Sequence, residues 1–370
     1  MKKNFWVVAI IVLFIAYFFL AAREIPKQTV LVPRWVSSLE SGETVRMNES
    51  AGTDTLLPFS LGSRFGFIGQ EDGRLSINRT AKSNVSLSGK YWAEYEAEPS
   101  RITIYDNRGE TYTVIENPRG YPFFFTASGG VDDKKQERIF IVGSEQNSIS
   151  EIDASGAVLW TYEFAAQITC ADSAGGLLLA GSLDGSIVII DSMGRKVFSF
   201  EPGGSRYPVI LGCAISRDGS RLGIISGIDH QRFLYLERFG ASSGDYKVVY
   251  HEFLNDGYRR PVFINFVEND RWVVFERSGG LGLYEAGSTQ AAKVSLGGEI
   301  SAVDQSGGQG LIFTIVSRPD NIKELAGIML PGRIMVAAPF KSGDVFLSRA
   351  DARLLVGGGQ AVIAFDLEKR

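Results

Sequence analysis

Two cysteines, Cys170 and Cys213, and two histidines, His230 and His251, are the whole stock of thiol and imidazole groups in this chain. No His-x-x-x-His or Cys-x-x-Cys pair occurs, so the ligand spacing of a zinc site is missing and no metal or other cofactor is expected. Carboxylates recur in a fixed setting instead. Asp106, Asp153 and Asp191 each begin an Asp-x-x-Gly, and Asp72, Asp184, Asp218 and Asp256 each precede Gly. Acid–base chemistry is one reading of such repeated carboxylates. The other is structural: an Asp at the first turn position accepts from the following backbone, and Gly takes the left-handed position that closes a hairpin. The turn setting favours the second reading, and no catalytic residue is expected among them.

A different recurrence is not explained by turns. "PRGYPFFF" (118–125), "SRYPVI" (205–210) and "GYRRPVFI" (257–264) each carry Arg and Tyr just before a Pro and an apolar run. Arg and Tyr are enriched at binding hot spots. The candidate partner-binding residues are therefore Arg119, Tyr121, Arg206, Tyr207, Tyr258, Arg259 and Arg260, with His230 from the turn "GIDHQR". The competing structural reading has Pro fixing the chain into the next strand while Arg pairs with turn carboxylates such as Asp184.

The elements that must position these residues repeat along the chain. "GSIVIIDSMGRKVFSFEP" aligns with "NSISEIDASGAVLWTYEF" (147–164) and "SRITIYDNRGETYTVIEN" (100–117). Each is an alternating strand, an Asp-x-x-Gly turn and a second alternating strand. A preceding strand and turn recur in "FGFIGQEDGRLSI" and "LLLAGSLDGSIVI", and an inner strand precedes most copies, as in "VILGCAISRDG" and "PVFINFVEND". Third strands centre near residues 76, 104, 150, 188, 235, 283, 331 and 363, with most units 38 to 48 residues long. Four-stranded antiparallel units at that period predict an all-β propeller, since each small sheet buries its faces only against neighbouring blades. Seven or eight blades fit, and eight fits better. The first interval is 28 residues, so one N-terminal blade is irregular. The C-terminal unit supplies three strands, and its fourth is expected from within residues 35 to 80, closing the ring. In such a blade the fourth-to-first connection emerges on the same face as the second-to-third turn, which places the Arg/Tyr residues and His230 together near the mouth of the central channel.

These repeats resemble the propeller repeats of the quinoprotein type, with a looser likeness to WD40 repeats. The best match is "SISEIDASGAVLWTYEF", where Gly156 and Trp160 take the family's Gly-x-x-x-Trp places; Thr113 and Phe198 replace Trp in the two aligned copies. The resemblance spans roughly residues 57 to 370 and is architectural. Some members are pyrroloquinoline-quinone dehydrogenases, larger proteins with a Trp platform, a vicinal Cys pair and a calcium site, none of which is readable here. The chain is more similar to the periplasmic propeller scaffold of the outer-membrane assembly machine, which implies binding to envelope proteins rather than catalysis. Cys170 and Cys213, 43 residues apart, occupy equivalent inner-strand positions of adjacent units. Such positions are expected too far apart for a bridge, which needs a Cα separation below about 7 Å. Small buried thiols are the expectation, with a disulfide as the alternative in an oxidising compartment.

The N-terminus, "MKKNFWVVAIIVLFIAYFFLAAREIPK", places Lys2 and Lys3 before an uncharged apolar run from Phe5 to Ala22. At 1.5 Å per residue that run reaches about 27 Å, enough to span a hydrocarbon core. Leu20-Ala21-Ala22 is a poor cleavage site and no Cys follows for a lipid anchor, so an uncleaved signal anchor is expected, with the lysines on the cytoplasmic side. The organisation read from the sequence is a cytoplasmic 1–4, a transmembrane 5–22, a linker with a candidate ring-closing strand over 23–56, and a propeller over 57–370. The protein is expected on the periplasmic side of a bacterial inner membrane, as a monomer, and bound to envelope proteins. A net charge of −4 argues against nucleic acid. A hydrolase or quinone oxidoreductase in the channel mouth, and a sensor of a small anionic ligand, remain the alternatives. The sequons at Asn48, Asn78 and Asn84 matter only in a host that glycosylates.

Overall fold

Alternating β-branched segments bounded by Gly and Asp become eight antiparallel sheets in the computed structural model, which describes residues 10, 12–14, 17, 29–46, 55–125, 137–240 and 244–369. We number them as blades in chain order: 56–80, 84–116, 120–163, 168–200, 210–253, 264–295, 299–341, and 345–369 completed by 29–46. Blade 1 has three strands, blades 2 to 7 have four, and blade 8 has five. Strands close to the channel are apolar on both faces because a blade is covered on both sides. Leu177–Ser182 of blade 4 is buried throughout, whereas the outer Val158–Glu163 of blade 3 is half-buried or exposed. The core lies between sheets. Leu179, Ile187 and Ile189 of blade 4 pack on Cys213, Ile224 and Leu234 of blade 5, and Phe233 stacks on Phe275 of blade 6 at 4.3 Å.

The Asp-x-x-Gly turns are structural. The Oδ1 of Asp106 accepts from the backbone N–H of Arg108 and Glu110, that of Asp153 from Ser155 and Ala157, and that of Asp191 from Met193 and Arg195, all at 2.8–2.9 Å. Gly156 and Gly194 have φ of 85° and 77°, a region costly for residues bearing a Cβ. Each also touches the preceding blade. A Cβ on Gly194 would lie 2.7 Å from the Trp160 ring, and one on Gly156 would lie 2.3 Å from the Val114 carbonyl. At the blade 3–blade 4 seam the Gly-x-x-x-Trp spacing thus joins blades, with Trp160 of one outer strand seating the turn Gly194 of the next blade. Asp256 departs from the turn reading. Its carboxylate, 2% exposed, pairs with Arg277 at 2.5 Å, beside Glu252 at 3.0 Å.

Closure differs from expectation in place. The fourth strand of blade 8 is Thr29–Ser38, pairing antiparallel with Ala361–Lys369, so most of it precedes the 35–80 window and propeller strands begin ahead of residue 57. Arg34 bonds Asp366 at 2.6 Å and Glu368 at 2.9 Å. Trp35, 1% exposed, donates to the Gln70 carbonyl of blade 1 at 3.2 Å. The third strand expected near 331 is Ile322–Met329; residues 330–332 turn the chain into the outer strand Arg333–Lys341. The expected transmembrane helix over 5–22 falls almost wholly outside the described residues, as do 1–4 and 23–28. Ile10, Val12, Leu13, Phe14 and Tyr17 are helical and exposed, and no helix among the described residues is long and apolar enough to cross a membrane.

Candidate partner-binding face

Blade geometry places the lead-in connections and the second-to-third turns on one face, here called upper. Ser144 N donates to the Arg119 carbonyl at 3.0 Å, Ile228 N to Tyr207 at 3.1 Å, and Leu254 N to Gln231 at 2.7 Å, so connection and turn are laced together at blades 3, 5 and 6. Around blades 5 and 6 the expected residues converge. Arg206 and Tyr207 precede the inner strand Ile210–Ile215. His230, exposed, lies in the turn before Arg232–Arg238. The neighbouring Gln231 clamps Tyr258 by donating to its carbonyl and accepting from its N–H at 3.2 Å, which ties the two rims together.

The side chains divide into held and free. Arg260 forks onto Glu276 at 2.7 and 3.1 Å, reaches Glu299 at 3.4 Å, and covers the Tyr258 ring at 4.9 Å. Glu276 is 4% exposed and raises the Arg260 guanidinium pKa, while burial, helped by Glu276 and Asp256, raises that of the Tyr258 hydroxyl. Arg260 and Tyr258 are thus structural. Arg206 is paired more loosely, with its side chain 85% exposed and Asp229 at 3.4 Å. Ser205 donates to the same Asp229 carboxylate and, with Arg206, holds it well below the ordinary range. Asp184, the partner suggested by sequence, instead accepts from Ser182 and Ser186. Tyr207 is 59% exposed, and Arg259 is exposed. Arg119 and Tyr121 share the upper face but not the cluster. They open blade 3, two blades away, with Tyr121 half-buried and its ring 5.9 Å from Tyr95 of blade 2.

Sequence reasoning missed two exposed apolar residues on the same face, namely Leu183 in the blade 4 turn and Phe253 at the end of the blade 5 outer strand. Leu183 carries a signal, because the turn "SLDG" has no local need for a leucine. It also missed the lower channel mouth. There a cavity of about 410 Å³ is lined by Arg217, Asn265, Asp270, Gln305 and Phe346, among others. Its charges are engaged: Asp270 accepts from Arg217 N at 3.0 Å, and Arg217 Nη1 bonds Asn269 at 3.1 Å. No group of three or more potential metal ligands occurs among the described residues.

A family model described as beta-propeller protein matches residues 1–369. The chain belongs to that beta-propeller family. A protein of Treponema pallidum (strain Nichols), described as uncharacterized, is 25% identical over 378 residues, covering 99% of this propeller chain and 93% of the relative. Among solved structures, BamB from Moraxella catarrhalis superposes with a TM-score of 0.61 at 13% identity, covering 92% of this chain and 99% of BamB. The computationally designed Ika8 protein follows at 0.59 and 11%, covering 86% and 98%. At such identities the likeness carries the fold alone, and this propeller shares it with a natural and a designed protein.

Proposed function

We propose that this propeller acts by binding, as a non-enzymatic scaffold for cell-envelope proteins, held to a membrane by the apolar segment 5–22 with its blades outside the cytoplasm. The observation that carries this reading is the exposed set Arg206, Tyr207 and Arg259 at the rim of blades 5 and 6, set on hydrogen-bonded connections of a face that also exposes Leu183 and Phe253. An aromatic ring left in water on a rigid backbone loses little conformational entropy when a partner covers it. The resemblance of the repeats to the periplasmic assembly scaffold supports the same reading.

The triple change Arg206→Ala, Tyr207→Ala, Arg259→Ala tests it. Exposed positions change stability by about 0.5 kcal/mol, and the open, solvent-screened Arg206–Asp229 pair adds little to that. The melting curve is expected to stay nearly unchanged while a partner co-purified from detergent-solubilised membranes is lost. Each hot-spot truncation costs about 2 kcal/mol of affinity, roughly 30-fold. Arg260 is left intact because its loss strands the buried Glu276. Retention of the partner by a normally melting triple variant overturns the assignment of this face.

A further inference from the structure

We propose that Cys170 and Cys213 form a cross-blade dithiol that oxidises to a disulfide joining the inner strands of blades 4 and 5. Side-chain-to-backbone bonds draw these strands together. Thr169 Oγ1 donates to the Ile210 carbonyl at 2.6 Å, and Ile215 N donates to Asp172 Oδ2 at 2.8 Å. These contacts bracket the cysteines on both sides. Cys170 and Cys213 belong to one apolar cluster between the two sheets. Gly181, paired with Cys170, leaves the room: a Cβ there would lie 2.7 Å from Ile210 Cβ and 3.0 Å from Cys170 Sγ. Cys170 beside it, together with burial, raises the Cys213 thiol pKa. Both are free thiols here. Thr169 and Asp172 reach across this interface and hold the two inner strands beside each other.

Oxidation needs a disulfide donor, such as glutathione disulfide. The half-buried Cys170, as thiolate, attacks it and releases one glutathione thiol, leaving a mixed disulfide. Cys213 then loses its proton and displaces the second glutathione, so two protein thiols become one S–S bond and one donor disulfide becomes two thiols. The bond closes a 43-residue span, long enough for a sizeable restriction of the unfolded chain.

The test uses the purified full chain in detergent, equilibrated with glutathione disulfide just below its melting midpoint, where transient opening admits the reagent. Alkylation in denaturant should then find no free thiol and no glutathione adduct. Melting should rise by on the order of 5 °C, a shift reversed by dithiothreitol and absent from Cys170→Ser and Cys213→Ser. Two alkylatable thiols, or a stable glutathione adduct on Cys170, overturn the proposal. Partner binding is not involved in the readout, so failure here leaves the scaffold reading standing, and failure of that reading leaves this one.

Discussion

Asp229 illustrates how one residue is set by its neighbours. Ser205 hydrogen-bonds its carboxylate, and Arg206 adds a backbone N–H and a guanidinium. A carboxyl whose pKa is depressed on folding adds stability that is present above the ordinary carboxylate range and is lost as pH falls through the folded value. Ser205→Ala removes the largest cause of that depression. The variant should therefore melt lower than the parent near neutral pH. The gap should narrow as pH drops below about 4, leaving a remainder from the lost Ser205 bonds to Tyr207. Melting curves at pH 7 and pH 3 check this, and an equal gap at both contradicts it. The Asp-x-x-Gly carboxylates were legible because all their acceptor bonds lie within four residues. Asp256 and Asp229 were not, since Arg277 and Ser205 are more than twenty residues away.

The strand Thr29–Ser38 carries closure. It covers the open edge of Ala361–Lys369 over nine paired positions. It also inserts Trp35 between blades 8 and 1, where the ring lies 2.6 Å from a Cβ built on Gly73. Arg353 joins the same seam from blade 8, bonding Asp366, Glu71 and the Gln70 carbonyl, each at 2.7 Å. Trp35→Ala should cost about 3–5 kcal/mol, the range of a large buried aromatic. A chain starting at residue 47 should aggregate through the bared edge, while one starting at residue 29 stays monodisperse in gel filtration. Equal behaviour of the two truncations would contradict closure by this strand. A missing fourth strand was legible at the C-terminus. Its supplier was not, because "TVLVPRWVSS" carries no Asp-x-x-Gly and matches no repeat.

Eight blades close a ring whose first sheet has three strands and whose last is shared between both ends of the chain. In the sequence the apolar run 5–22 comes shortly before the strand Thr29–Ser38 that seals the ring, an order that suits the proposed tether. If residues 5–22 anchor the chain uncleaved, the protein should resist carbonate extraction from membranes and retain Met1 or Lys2 at its N-terminus. Release by carbonate, or a mature N-terminus at Ala21, Ala22 or Arg23, overturns the anchor.

The sequence by itself determined the all-β class, the repeating turn chemistry and the lead-in connections that carry Arg and Tyr, because strand alternation and the turn bonds at Asp106, Asp153 and Asp191 are completed within a few residues. Only the tertiary structure decided that Arg260 is locked onto Glu276 while Tyr207 is open, that Arg119 stands two blades from the cluster, that Cys170 and Cys213 share one apolar cluster, and that residue 29 pairs with residue 369. These are pairings between distant segments. The side chains at such contacts satisfy packing and hydrogen bonding only once the ring has closed, so no local pattern along the chain records them.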